Sequence, residues 1–277
     1  MKANRLSERT FADTRGEGRG NIGAIELLSY TVVIDSTMFP STAAKFRKSL
    51  EAQIKSPIRK LILTHYHADH VFGNQVFKDC RIISSLKLLK CMQEEARTFE
   101  LKDSEIEERP ELAELKDLEM TFPTITFEDT LGLKDNDFSI EITRVGGHTA
   151  DSSIVYFPKD RILFCGDLIF AKEFPWGGDK TCNPTEWIDT LKLFKKLKIE
   201  KIVPGHGSVC DIEEVDVYLS FFEDATAIIK ELIDNGFTEK EVAEYDGFPS
   251  FYAYTNPERR RATFVRWYNF YKRALKE

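Results

Sequence analysis

Short runs of aliphatic and β-branched residues alternate along this chain with stretches in which apolar positions recur every three or four residues. The first pattern suits a buried strand, the second one face of a helix. Residues 21–35 are mostly small, aliphatic and β-branched, broken at Ser29 and Tyr30, and predict the two strands of a hairpin. Ser41 is placed to cap a helix in which Phe46, Leu50 and Ile54 repeat every four residues before Pro57. A buried strand at 58–64 and a helix at 71–77 follow.

After residue 122 the strand pattern returns at 125–127, 138–145, 153–157 and 161–165. Residues 185–197 predict a helix with Trp187, Ile188, Leu191 and Phe194 on one face, and 199–203 a strand that stops at Pro204. A longer amphipathic helix at 213–235 ends at Gly236, and Thr238 with Glu241 makes a capping box for the next. The last helix, 257–275, carries Phe264, Trp267, Tyr268, Tyr271 and Leu275 at helical spacing, a stripe that reads as core. Strand-rich halves separated by helices, with helices closing the chain, suit two sheets covered by helices.

One segment breaks this alternation. Residues 91–120 hold eleven acidic side chains against four basic ones, a balance equal to the net charge of -7 of the whole chain. They predict exposed helices, with Leu112, Leu115, Leu118 and Met120 as their apolar side, packed on the edge of the domain. We therefore expect one domain over 1–277, with an acidic helical insertion at about 91–121 and C-terminal helices at about 213–277.

Composition narrows the class. With 277 residues, 42% of them hydrophobic, the chain can bury a full core. No apolar run reaches the roughly 18 residues a membrane span needs, and the polar first 21 residues do not resemble a signal peptide. Five cysteines without a close pair suit reduced thiols, so a cytoplasmic location is expected. The acidic balance gives no global attraction to nucleic acid or anionic membranes, so the expected partner is a small-molecule substrate. The oligomeric state is open, a homodimer included.

The chemistry lies in the histidines. All five fall in motifs: His65, His67 and His70 in the run Thr-His-Tyr-His-Ala-Asp-His, His148 in Gly-Gly-His-Thr, and His206 in Pro-Gly-His-Gly. Neutral imidazole is the commonest protein ligand for a transition metal, and Asp69 and Asp167 add carboxylate oxygens. His65 and His67, two apart after a strand, point the same way and can grip one ion. Asp69 and His70, at the turn into a helix, face a second point. The later motifs each follow a strand and contain glycines, which let a backbone turn tightly beside an ion. Singly each has an ordinary reading as a loop histidine or turn aspartate; together they argue for a metal site.

These ordered motifs, from about residue 21 to 207, resemble the metallo-β-lactamase superfamily. The resemblance implies an α/β (α+β) fold, a four-layer αββα sandwich with the metals between the sheet edges. It implies that His65, His67 and His148 hold a first metal, that Asp69, His70 and His206 hold a second, and that Asp167 bridges them. Two divalent ions, zinc first and iron or manganese as alternatives, would share a hydroxide that attacks the substrate, with Asp69 as the catalytic proton acceptor. An aspartate at position 167 resembles the glyoxalase II, lactonase and general hydrolase branches, which implies a metal-dependent hydrolase of a small thioester, ester or lactone.

Phe170, Phe174 and Trp176 follow Asp167 and are candidates for a substrate wall. Arg259, Arg260 and Arg261 could bind an anionic substrate, but read first as a solvated helix face. Two other readings stay open: a persulfide dioxygenase-like enzyme with one iron on His65, His148 and Asp167, and a non-catalytic metal-binding module.

Overall fold

A computed structural model describes residues 1–252 and 256–275. The helical C-terminal segment expected at 213–277 includes 253–255 and 276–277, which lie outside the described residues. The first half of the chain builds one sheet. Its strands are β1 (Asn4–Arg5), β2 (Thr10–Asp13), β3 (Ile22–Glu26) and β4 (Thr31–Ile34), then, after helix α1 (Pro40–Glu51), β5 (Ile58–Ile62). A short helix α2 (Ala68–Val71) leads to β6 (Arg81–Ser85), the helices α3 (Leu86–Thr98) and α4 (Asp103–Glu108), and β7 (Ile125–Phe127). The strands lie in the order β1-β2-β3-β4-β5-β6-β7, antiparallel up to β4 and parallel from β4 onward.

The second half builds a five-stranded sheet from β8 (Thr130–Asp135), β9 (Phe138–Arg144), β10 (Ser153–Phe157), β11 (Ile162–Phe170) and, after helix α5 (Pro184–Phe194), β12 (Lys201–His206). Helices α6 (Ile212–Asp234), α7 (Glu239–Glu244) and α8 (Pro257–Ala274) complete the chain. Alternation along β11 shows how the layers form. Ile162 and Phe164 face the space between the sheets, where they meet Ile25, Val32, Ile62 and Val155. Leu163 and Cys165 face the opposite way, into a core shared with Trp187, Phe222 and Trp267 of α5, α6 and α8. On the far side, Phe46 and Leu50 of α1 and Leu88 of α3 cover the first sheet. The result is a helix-sheet-sheet-helix sandwich, the fold class expected.

Several boundaries differ from expectation for local reasons. Helix α1 starts at Pro40, whose fixed φ and missing N–H suit a first turn, so Ser41 lies inside the helix and not at its cap. The expected helix at 71–77 is the short α2 followed by a tighter 3-10 turn over Phe72–Phe77. β11 runs five residues past Cys165, because Leu168, Ile169 and Phe170 remain buried while it pairs with β12. Asp167 therefore sits within a strand, beside a register shift at Gly166, and not in a loop after it. The capping box of Thr238 and Glu241 is present, and the stripe on α8 is core from Phe264 to Tyr271. Leu275, at 66% exposure, lies beyond it.

The acidic segment forms α3, α4 and a 3-10 turn over Pro110–Asp117. Leu112 and Leu115 are buried against the helical layer of the first sheet. Ion pairs from Glu111 to Arg19 and from Glu95 to Lys180 fasten the segment to the rest of the chain.

Candidate metal centre

Every histidine motif sits at or just past the C-terminal end of a strand. β5 delivers His65 and His67, with His67 at the N-cap of α2, so that Asp69 and His70 lie in the first turn of that helix. β9 leads to His148, β11 carries Asp167, and β12 ends at His206. Their ligand-type atoms form two groups, His65, His67, His148 and Asp167, and Asp69, His70 and His206, each closing within 4.8 Å. Asp167 spans both. Its Oδ2 is 3.6 Å from His65 Nε2 and 3.5 Å from His148 Nε2, and its Oδ1 is 3.0 Å from His70 Nε2 and 3.3 Å from His206 Nε2. Asp69 Oδ2 closes the second group at 3.2 Å from His206 Nε2.

The far nitrogen of four rings is tied to an oxygen, which sets the tautomer and aims the other nitrogen inward. His70 Nδ1 donates to Asp35 Oδ2 at 2.9 Å, and His148 Nδ1 donates to the Trp176 carbonyl at 2.8 Å. His65 Nδ1 donates to Thr64 Oγ1 at 3.1 Å, since that hydroxyl gives its own proton to Asp35. His67 is turned around: its Nε2 donates to Asp179 Oδ2 at 3.2 Å and its Nδ1 faces inward, 3.1 Å from His148 Nε2. The Tyr66 hydroxyl and the backbone and hydroxyl of Thr181 also donate to Asp179, fixing its position.

Burial and charge oppose each other here. Burial pushes His65 down to about 4, with the neighbouring His70 adding to it, so its ring is neutral. Burial also acts against charge on His206, but Asp167 and Asp69 outweigh it and raise the ring to about 9. His70 is raised for the same reason, against burial. Burial would raise Asp69 and Asp167, yet the surrounding imidazoles hold both below the usual carboxylate range. The buried Asp167 and the partly exposed Asp69 thus depend on positive charge within a few ångströms.

The donors fit a metal. His65 Nε2, His70 Nε2 and Asp167 Oδ1 are buried polar atoms with no hydrogen-bond partner of acceptable geometry. Atoms left so in an interior are costly unless something else satisfies them. Imidazole nitrogens with carboxylate oxygens are the donor set of zinc, iron and manganese. Glycines keep the approach open. A Cβ on Gly205 would stand 1.9 Å from Asp167 Oδ1, and Gly166, at φ 52°, turns the strand where a Cβ would meet Thr64 Oγ1 at 2.6 Å.

His67, Asp69 and His206, with side chains 19%, 23% and 20% exposed, open onto a cavity of about 660 Å³. Phe170 and Trp176 line it. Phe174 does not: its ring packs in the core against Phe221 and Phe264, a correction whose cause is the aromatic layer that α6 and α8 present there. Arg259 also lines the cavity and is largely buried, not a solvated face as its sequence suggested. Asp35, Asp179 and Tyr66 escaped sequence reasoning altogether.

The model of the metallo-beta-lactamase superfamily matches residues 15–206. A linear primary-alkylsulfatase of a Pseudomonas strain is 25% identical over 252 residues, 78% of this chain and 47% of the relative. A type 2 metallo-beta-lactamase of Bacillus cereus is 27% identical over 184 residues, 65% of this chain and 64% of the relative. Among solved structures, a sec-alkyl sulfatase variant superposes with a TM-score of 0.72 at 13% identity, covering 99% of this chain and 50% of that one. The chain spans about half the length of the alkylsulfatases it matches.

Proposed function

This chain belongs to the metallo-β-lactamase superfamily, and we propose that within it the chain is a metal-dependent hydrolase of a small thioester, ester or lactone. The observation that carries this reading is Asp167, which turns one oxygen toward each of two adjoining groups of ligand-type atoms. Two divalent ions, zinc first, would be held by His65, His67 and His148 and by Asp69, His70 and His206, with Asp167 shared. Bound there, such a pair supplies charge that acidifies a water and polarises the substrate's oxygen.

The chain's own residues do the rest. Asp69 borders the cavity and is held ionised by the imidazoles of His70 and His206, so its carboxylate orients the attacking water and relays its proton to the leaving group without keeping it. Asp35 and Asp179 accept from the outer nitrogens of His70 and His67, which leaves the inward nitrogen of each ring as the one that would hold a metal. Phe170 stacks on the His206 ring at 4.9 Å and 7°, and with Trp176 narrows water's access to the group.

The relatives named as alkylsulfatases and as a β-lactamase do not point to one bond. The preference for a carbon ester or thioester rests on the bridging aspartate. The oxidative alternative needs only His65, His148 and Asp167. His70 and His206 reach Asp167 Oδ1 and Asp69 reaches His206, a second group that hydrolysis by two ions would use and the one-iron reading leaves without a role.

Replacing Asp69 by Asn tests the reading. Turnover across a panel of thioesters, esters and lactones is expected to fall by about 10²-fold or more, the contribution of a positioned acid-base group, with the thermal transition retained. Activity equal to that of the unmodified chain would overturn it.

A further inference from the structure

Arg259 stands at the start of α8, on the wall of the metal cavity, with an uncommon set of contacts. Its guanidinium lies 4.4 Å over the ring of Phe170, the ring that stacks in turn on His206. One phenyl ring therefore separates this cation from a candidate metal ligand. Glu173, half exposed, approaches Nη1 at 3.8 Å, outside hydrogen-bond reach. Nε and Nη2 are buried and have no acceptor. Those two atoms form one edge of the guanidinium fork, the edge that pairs side-on with both oxygens of a carboxylate, sulfate or phosphate. Among the described residues lining the cavity, Arg259 is the only arginine or lysine.

Charge balance sharpens the point. Asp167 and Asp69 are among the negative charges that favour the ionised guanidinium, while burial opposes it. Divalent ions in the histidine groups would neutralise those carboxylates, and Arg259 would then face a cationic centre with one distant partner. Packing on Phe170 uses the flat face of the guanidinium and leaves the donors of its edge unsatisfied. An oxyanion in the cavity would answer both deficits. The first turn of the 18-residue helix α8, whose Asn256, Glu258 and Ala262 share the wall, adds its positive end, and Glu258 opposes from the exposed rim.

We propose that Arg259 is the specificity-determining residue of the cavity and that it anchors an oxyanion carried by the substrate, making the substrate an organic anion. The proposal rests on the hydrolase reading for the word substrate, and on the geometry of Arg259 for the rest.

The test uses the full-length, metal-loaded protein and two probes of like shape, benzenesulfonate and its neutral counterpart methyl phenyl sulfone, titrated by calorimetry. The unmodified chain is expected to bind the sulfonate at least about tenfold more tightly, as a charge-assisted pair should. Arg259→Gln loses that preference. Arg259→Lys, which keeps the charge and the stem but not the fork, retains part of it and serves if the Gln variant does not fold. Equal binding of the two probes by the unmodified chain, or a preference that survives in both variants, overturns the proposal.

In parallel, 4-nitrophenyl hemisuccinate and 4-nitrophenyl acetate are compared. The ratio of their kcat/KM values is expected to fall about tenfold or more in Arg259→Gln, and an unchanged ratio counts against the anchor. If the sulfonate preference depends on Arg259 while neither ester is hydrolysed, the anion site stands and the ester-hydrolase reading fails.

Discussion

Replacing Asp35 by Asn isolates what the carboxylate behind His70 contributes. Asp35 is buried, and it accepts three hydrogen bonds: Thr64 N at 2.8 Å on Oδ1, and Thr64 Oγ1 at 2.8 Å and His70 Nδ1 at 2.9 Å on Oδ2. Its φ of 59° is left-handed, which Asn tolerates and most other residues do not, so the substitution adds little backbone strain. With the amide oxygen placed in the two-donor position, Asn keeps the bonds from His70 and Thr64 Oγ1. Its NH₂ then faces the Thr64 N–H. One charge-assisted bond becomes a clash of donors, so a loss of about 2–3 kcal/mol is expected without metal. Metal affinity should fall further, by about 10–100-fold, because a neutral amide orients and polarises His70 less than a carboxylate does.

Urea unfolding of the metal-free protein measures the first quantity, and competition with a chromophoric chelator measures the second. Asp35→Ala should be worse, since it loses all three bonds and pays about 1–2 kcal/mol for its left-handed backbone. Metal affinity unchanged in Asp35→Asn would refute the assignment of Asp35 to the orientation of His70.

Gly205→Ala puts a Cβ 1.9 Å from Asp167 Oδ1 and 2.6 Å from the Gly166 carbonyl carbon. It should cost about 1–3 kcal/mol in thermal or urea unfolding and weaken metal binding at both groups, whereas undiminished metal content would show that Asp167 does not bridge. Metal uptake should also release protons. His206, raised to about 9, is protonated at pH 7 and must lose that proton to act as a ligand. His70, raised as well, must do the same, so affinity is expected to rise with pH through neutrality, with at least about one proton released per chain at pH 7 when calorimetry is repeated in buffers of different ionisation enthalpy. No proton release would contradict this charge balance.

The seven ligand-type residues were legible in the sequence because each short motif carries its own chemistry and its own strand-end setting. Their partners were not. Asp35 is 35 residues from His70 and Asp179 is 112 residues from His67, and nothing local to either aspartate says which histidine it meets. A buried charge closing the apolar run 31–34 was a faint signal for Asp35. Strand β8 was missed because it alternates half-buried and exposed positions around Gly132, and β6 because two of its five residues are serines. Gly166 reads in the sequence as a break that puts Asp167 in a loop, yet in the strand it marks a shift of register. Arg259 looked solvated among three consecutive arginines. Only the packing of α8 against the loop after β11 buries it.

The central claim, a pair of metal ions on one bridging carboxylate, is tested most directly by the metal-to-protein ratio, measured by mass spectrometry on protein purified from its native host. Close to two divalent ions per chain are expected, falling below one when Asp167 is replaced by Ala. A single iron per chain, retained by a protein that consumes oxygen with a thiol derivative, would contradict it.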